Sequence, residues 1–494
     1  MKRPLIIYFV LLTFFVGCTD NFEDMNTDKK NPAVVAGNAL FSNGQKALVD
    51  QVSSTNVNFN IFKLMSQYWT ETTYTDEANY LIVDRNIPEQ IYREYYREAL
   101  KDMNEAYNLI EMETDPEGVA TKQNRRAIIK IMNAYAYSRL ADIFGNIIYT
   151  EALNIENVYP AYDDAATVYS TQINNLDAAI AQLNVNAGSF GTADLIYGSF
   201  DNPVEAWIKF ANTLKIKIGI TIADANPSLA QSTIEASLSG AFESSDDDAL
   251  FRYLGSAPNF NPLYDDLVLS GRSDFVAANT IVDIMNPLND PRRAFYFTQK
   301  DGEYIGGEYG WPNAFSAYSH VHPTIEAATF PGILLTYTEL QFYLAEAAER
   351  GFSVGNTAEY YYNQGVTESI LGGSLQGYGW GASQAEADAY LAQPDVAYAT
   401  APDASADGWR QKIATQSWLA SYTRGLVGWT TWRRLDYPVF NVAEFIETTA
   451  DIPTRFTYPV FEQTLNADSW QAAATAIGGD EKTTKLFWDM YPAN

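Results

Sequence analysis

Two histidines, one cysteine and 61 acidic side chains are the residues of this 494-residue sequence best suited to chemistry. His320 and His322 flank Val321, so an extended backbone would place both imidazoles on one side, as a metal seat requires. Any third ligand would have to be a carboxylate, and Pro323 sets the pair in a loop. Asp246, Asp247 and Asp248 could meet calcium, but they lack the alternating ligands of an EF-hand loop; capping or solvation is the plainer use. Glycoside hydrolysis needs only two carboxylates, and so many acids make such pairs inevitable and uninformative. The sequence holds no Gly-x-Ser-x-Gly elbow and no His-Glu-x-x-His zinc pair, and its glycine-rich stretches lack the lysine of a phosphate loop. The expectation is a protein that is not an enzyme, with no metal and no cofactor. With 32 basic residues and a formal charge of −29, nucleic acid is excluded as a partner, because phosphate binding needs clustered positive charge.

The lone cysteine has a different use. Lys2 and Arg3 precede an apolar run over Leu5–Val16, too short to span a bilayer and the right length for a signal sequence. The run ends Phe15-Val16-Gly17-Cys18, which resembles a bacterial lipobox, with Phe15 where leucine is usual. Residues 1–17 are therefore expected to be removed and Cys18 to carry the acyl chains, palmitate among them, that hold the protein to a membrane. Cleavage removes Lys2 and Arg3 and takes the formal charge from −29 to −31. Asp20, Glu23, Asp24 and the polar stretch to Pro32 then form an acidic tether over 18–32.

The elements that must position any site are helices. Tyr92, Tyr95, Tyr96, Ala99, Met103, Ala106, Tyr107 and Ile110 fall at helical spacing. So do Ile128, Ile131, Met132 and Tyr135, and again Trp207, Phe210, Ala211, Leu214, Ile218 and Ile222. The clearest hairpin runs from Leu334 to Leu371: a first helix stops at Gly351, and Asn356 with Glu359 is set to cap the second. Ala358, Tyr361, Tyr362, Gly365 and Ser369 supply its facing stripe, small residues among large ones, as in a tetratricopeptide unit of about 34 residues. The fold expected is all-α: about four tetratricopeptide-like helical pairs, near 88–145, 163–224 and 333–371 and from about 406, in one domain over 33–494. Segments near 240–332 and 372–405 show no period and form an irregular, loop-rich cap.

Several motifs, in order along the chain, coincide with one family. They are "YSRLADIFGNIIYTEAL", Asn289-Asp290-Pro291-Arg292-Arg293, the hairpin "LLTYTELQFYLAEAAERGF" with "AEYYYNQGVTESI", Trp432-Arg433-Arg434-Leu435-Asp436-Tyr437-Pro438, and Ile452-Pro453-Thr454-Arg455-Phe456-Thr457-Tyr458-Pro459. The sequence resembles the SusD/RagB outer-membrane nutrient-binding lipoproteins, in the SusD-like group two branch. Arg433 and Arg434 suit bracing of acids or loop carbonyls, and Pro453 and Pro459 the entry to a late helix. The resemblance implies a lipid-anchored protein of the outer membrane, facing outwards, that captures oligosaccharide or peptide. It also implies a SusC-like TonB-dependent transporter as partner, to which the ligand is delivered. A helical-repeat adhesion protein without a small ligand is the reading from another class.

A sugar ring offers an apolar C–H face edged with hydroxyls, so its site needs flat exposed aromatics beside polar groups. Three loop clusters qualify: Trp69, Tyr74, Asn79 and Tyr80; Trp311, Asn313 and Tyr318; and Tyr378 with Trp380. The first lies in a neighbourhood that approaches the binding surface in the resembled family. Each aromatic could instead pack the cap on the scaffold, since most of 69 aromatic residues must be core. Trp69 follows an apolar run, as a core residue would; Trp380 stands between Gly379 and Gly381, as a surface indole would.

Overall fold

A computed structural model describes residues 35–114 and 118–491. The leader over 1–17, Cys18 and the tether over 18–32 lie outside the described residues. The molecule is helical, with two small sheets. An opening helix α1 (Gly37–Ser53) packs on the first pair, a rod made of α2 (Ile87–Tyr92), a π-helical stretch (Arg93–Leu100) and α3 (Lys101–Met112), which turns back into α4 (Val119–Phe144). The second pair is α5 (Ala165–Gln182) and α6 (Pro203–Thr221), with α7 (Pro227–Ser237) against α6. The third is α8 (Tyr337–Glu349) and α9 (Ala358–Leu371), flanked by α10 (Gln384–Leu391). The fourth is α11 (Arg410–Ala420) and α12 (Gly425–Leu435). All four pairs stand where the periodicity places them, and no helix among the described residues is long and apolar enough to cross a membrane.

Local chemistry explains the helix ends. Side-chain oxygens of Asp164, Asn202, Thr336 and Thr357 accept N–H groups of Thr167, Glu205, Glu339 and Tyr360. Each satisfies a donor that the first helical turn leaves free. The cap of α9 is thus Thr357, one residue beyond the expected Asn356. Gly351 ends α8 at φ +81°, as the sequence suggests. Gly365 lets α8 and α9 touch: a Cβ there would lie 2.9 Å from the Phe342 ring.

The two aperiodic segments contain short regular pieces. Strand β1 (Trp69–Glu71) pairs antiparallel with β3 (Phe275–Ala277), Trp69 opposite Ala277. Strand β2 (Ala249–Phe251) pairs antiparallel with β4 (Gly332–Leu335), which leads into α8. Within 372–405, α10 opens on a reciprocal capping box between Ser383 and Glu386.

The family-like motifs are built into this frame. Arg434 makes a bidentate pair with Glu346, at 2.8 and 3.0 Å. Arg433, fully buried, lies 3.6 Å from the Trp429 ring centre and donates to the carbonyls of Asp142 and Thr454. Arg455 pairs with Asp480 at 2.7 Å and donates to the Phe144 carbonyl. All three are braces, as planar guanidinium groups suit.

Asp248 joins scaffold to cap. Its carboxylate accepts the Tyr337 N–H at the start of α8 and the Ser374 hydroxyl, both at 2.6 Å. Burial outweighs those bonds and pushes its carboxyl up to about 7. A raised folded-state value favours the protonated form, so stability falls as pH rises from about 4 to about 7 and then levels off. Asp248→Asn keeps an acceptor for Tyr337 and a donor for Ser374 without the charge. Denaturant melts should find it about 2–4 kcal/mol more stable than the parent at pH 8 and little different at pH 4.

Candidate ligand-binding surface

Three loops meet at one edge of the β1–β3 sheet. The first leaves β1 and runs through Tyr74 to Tyr80. The second, 302–319, is tied to β3 by the Gly307 N–H to the Ala277 carbonyl and by the Ala277 N–H to the Ser319 carbonyl. The third, 439–446, is tied by Gln67, whose amide donates to the Asn441 carbonyl at 2.8 Å and accepts the Asn441 N–H at 2.9 Å.

Two buried asparagines lock these loops together. Asn79 donates to the carbonyls of Gly310 (2.6 Å) and Thr75 (2.9 Å) and accepts the Phe445 N–H (2.9 Å), so one amide joins all three loops. Asn313 donates to the carbonyls of Glu71, Glu308 and Trp311, and its own N–H donates to the Thr72 carbonyl. Gly310, at φ +77°, seats the second loop on the third: a Cβ there would lie 2.6 Å from that of Ala443. Replacing Asn79 with alanine should cost about 1–3 kcal/mol, because the buried Gly310 carbonyl and the partly buried Phe445 N–H lose their partner. Hydrogen exchange in 439–446 should rise with it, whereas an unchanged exchange pattern would contradict the clamp.

What the clamp presents is aromatic and apolar. Tyr74 is 69% exposed, Phe445 55%, Trp311 41% and Val442 40%. Tyr318 is half-buried on the same second loop. Beside Tyr74 lies a polar hollow of about 320 Å³, lined by Asn56, Asn58, Arg85, Asp265, Arg272 and Asp274 among others. It joins the first loop where Thr72 donates to the carbonyls of Ser273 and Asp274. Its arginines are held: Arg85 pairs with Glu77 at 2.8 Å, and Arg272 with Asp274. The hydrogen bond to Asp274, then its charge and more weakly the Tyr74 phenol, hold the Arg272 guanidinium even more firmly protonated. Flat rings beside amides, carboxylates and guanidinium groups can stack on the apolar face of a ring and hydrogen-bond its edge.

Several expected contacts are corrected. Trp69 is fully buried, its Nε1–H donating to the Tyr422 hydroxyl at 2.7 Å, so no ligand can stack on it. Tyr80 is 1% exposed, with its hydroxyl accepting from Gln67. Asn79 and Asn313 are clamps and not contacts, at 1% and 3% exposure. Trp380, 6% exposed, packs on Tyr296 and Phe330. Its neighbouring glycines serve backbone passage: a Cβ on Gly381 would lie 1.9 Å from the Leu371 carbonyl oxygen. Trp69, Tyr422, Tyr296 and Trp380 form one interior ladder of aromatic contacts, and half-buried Tyr378 continues it through Phe330. Of the first two clusters, Tyr74, Trp311 and Tyr318 stay at the surface of the clamped loops, while Trp380 of the third joins the core. Phe445, Arg85 and Arg272 were not singled out in the sequence. An apolar run after a proline, "YPVFNVAEF", was the available signal for the first.

The alternative chemistries find other uses. His320 Nε2 bonds the Phe315 carbonyl at 2.8 Å while its ring stacks on Phe315; His322 Nδ1 accepts the Thr324 N–H. Asp247 pairs with Lys209. Among the described residues no group of three histidine, cysteine or acidic side chains is placed to hold a metal ion.

Comparison with known proteins agrees with this architecture. Residues 29–459 match a family model, SusD-like, described as starch-binding and associating with the outer membrane. No curated protein matches the chain significantly. The solved structure of a chitin-binding protein is similar at 26% identity and a TM-score of 0.78, over 92% of this chain and all of that one. A chitin-binding SusD homologue from Flavobacterium johnsoniae is 22% identical, with a TM-score of 0.74 over 92% of this chain and 98% of its own. A SusD-like protein from Bacteroides thetaiotaomicron is 23% identical, with a TM-score of 0.74 over 92% and 99%.

Proposed function

The chain belongs to the SusD-like family, and on that premise we propose that it captures neutral oligosaccharide at the cell surface and hands it to a SusC-like TonB-dependent transporter. In this reading Cys18 carries the lipid anchor in the outer membrane and the acidic tether over 18–32 gives the domain reach. The fold holds the ligand and makes or breaks no bond in it.

The observation that carries the proposal is the convergence of Tyr74, Trp311 and Phe445, all exposed, on loops locked by one buried amide. Exposed rings in a fixed array cost little entropy on binding, and the adjoining hollow supplies groups for hydroxyl and amide edges. The 26% identity to a chitin-binding protein makes N-acetylglucosamine oligomers the first sugars to try.

Glycan and peptide arrays, probed with the soluble form that begins at residue 19, test the reading. Signal on neutral glycans is the expected result. Signal confined to peptides would transfer the site to peptide capture, and none on either array would leave an adhesion role. Co-purification of a large β-barrel with the lipidated protein tests the transporter.

A further inference from the structure

The two arginines of the Asn289-Asp290-Pro291-Arg292-Arg293 motif have different surroundings. Arg292 is buried and held by Asp290, whereas Arg293 is half-buried and lines a hollow of about 420 Å³. The hollow lies between the motif, Tyr304 at the start of the 302–319 loop, and α10. It shares no lining residue with the polar hollow beside Tyr74. Arg293 Nε donates to the Asp290 carbonyl at 3.0 Å and Nη1 to the Asn286 side-chain oxygen at 2.9 Å, and the guanidinium carbon lies 5.2 Å from the Tyr304 ring centre. Asn286 donates in turn to the Tyr304 carbonyl at 2.9 Å, so cation and ring are set as one unit. Among the described residues no carboxylate pairs with Arg293, and nothing bonds its Nη2 or the Tyr304 hydroxyl.

The lining selects a ligand class. The Tyr304 and Tyr390 rings stand with the small side chains of Ala294 and Ala389, and Asn289, Glu386 and Gln393 add planar polar groups to Arg293. Gln393 donates to the Leu288 carbonyl at 2.9 Å, which leaves its side-chain oxygen without a partner among the described residues. Rings beside planar donors and acceptors suit a ligand with an apolar face and hydroxyl edges. Arg292 neutralises Asp290, so the hollow sets one guanidinium, Arg293, against one carboxylate, Glu386. The backbone N–H and then the hydroxyl of Ser383 hold the Glu386 carboxyl below the usual carboxylate range, and it is charged at neutral pH. That balance favours neither an anion nor a cation. No large exposed apolar side chain lines the hollow, as the core of a protein interface would require.

We propose that this hollow is a second, weaker sugar site, which holds a short stretch of neutral oligosaccharide apart from the Tyr74–Trp311–Phe445 surface. It rests on the proposed function for the ligand being neutral sugar, and not on where the first surface lies. A preset cation–ring unit with a few polar groups supports a dissociation constant on the order of 1 mM, too weak for titration calorimetry to register. Its use is avidity: a polymer already held at one site meets the other at high effective concentration.

A local probe tests it. The soluble form that begins at residue 19 has no cysteine, so Ala294→Cys, at an exposed position of the hollow, can carry an environment-sensitive fluorophore. Chitotriose, maltotriose and trigalacturonic acid are titrated in turn. The expected result is a saturable response to a neutral trisaccharide, unchanged when Tyr74→Ala and Trp311→Ala are added. Tyr304→Ala should weaken it about tenfold. Ala389→Trp, which fills the hollow from an exposed position of α10 and breaks no hydrogen bond, should do the same with the thermal melt unchanged. A label silent to both neutral sugars would overturn the second site, as would a response confined to trigalacturonic acid. So would one that disappears with Tyr74 and Trp311, or one that neither Tyr304→Ala nor Ala389→Trp weakens. A silent label with glycan-positive arrays counts against the hollow alone. A responding label, with calorimetric binding that survives Tyr74→Ala and Trp311→Ala, counts against the first surface alone.

Discussion

Replacing Tyr74 and Trp311 together by alanine is expected to abolish measurable oligosaccharide binding while leaving the thermal melt within about 1 °C of the parent. Both rings are exposed, at 69% and 41%, so their removal leaves no cavity in the core. In a complex each ring would cover one face of a sugar, and losing such a contact costs on the order of 1–2 kcal/mol. The pair together therefore weakens binding by about thirtyfold to several hundredfold. Phe445→Ala should add to the loss, because the Phe445 N–H that holds its loop on Asn79 is backbone and survives the change. Isothermal titration with the sugar that lights the array reads the effect. Binding that survives the double substitution would move the site elsewhere on the molecule.

The largest expected effect on stability is at the Asn289-Asp290-Pro291-Arg292 motif. Arg292 is 1% exposed and is held by Asp290, whose two oxygens receive its Nε and Nη2. Ser369, Tyr390 and Gln416 bond the same guanidinium, so α9, α10 and α11 meet on one side chain. Deleting Asp290 leaves that charge buried with only neutral partners, which costs about 3–5 kcal/mol. Asp290→Ala should lower the melting temperature by on the order of 3–5 °C. Arg292→Met placed on top should recover part of the loss by removing the stranded charge. A melt unchanged by Asp290→Ala would mean that the guanidinium finds water, and the hub would not be structural.

The scaffold was legible in the sequence because helices write their packing into spacing. Tyr92 to Ile110 and Trp207 to Ile222 repeat at helical intervals, and both stand as helices with those faces buried. The cap was legible only by composition. Trp69 and Trp311 both have polar neighbours in sequence, and the apolar run before Trp69 is the one local sign that it is sealed, by Tyr422, while the other is open. Which distant segment covers each is not written in either neighbourhood. Trp380 misled for a related reason: glycine beside an aromatic marks close backbone approach as readily as surface display. Asn79 and Asn313 do a different job from the one expected, since amides that could bind sugar hydroxyls bind loop carbonyls equally well.

Trp311 is the one exposed residue among ten tryptophans, which makes it a reporter of where ligand sits. Fluorine NMR of the soluble protein labelled with 5-fluorotryptophan, with Trp311→Phe to assign the resonance, follows all ten during titration with an array-positive oligosaccharide. The expected result is a saturable shift of the Trp311 signal, with the buried ladder of Trp69 and Trp380 unmoved. Shifts at other tryptophans with Trp311 silent would contradict the placement of the binding surface.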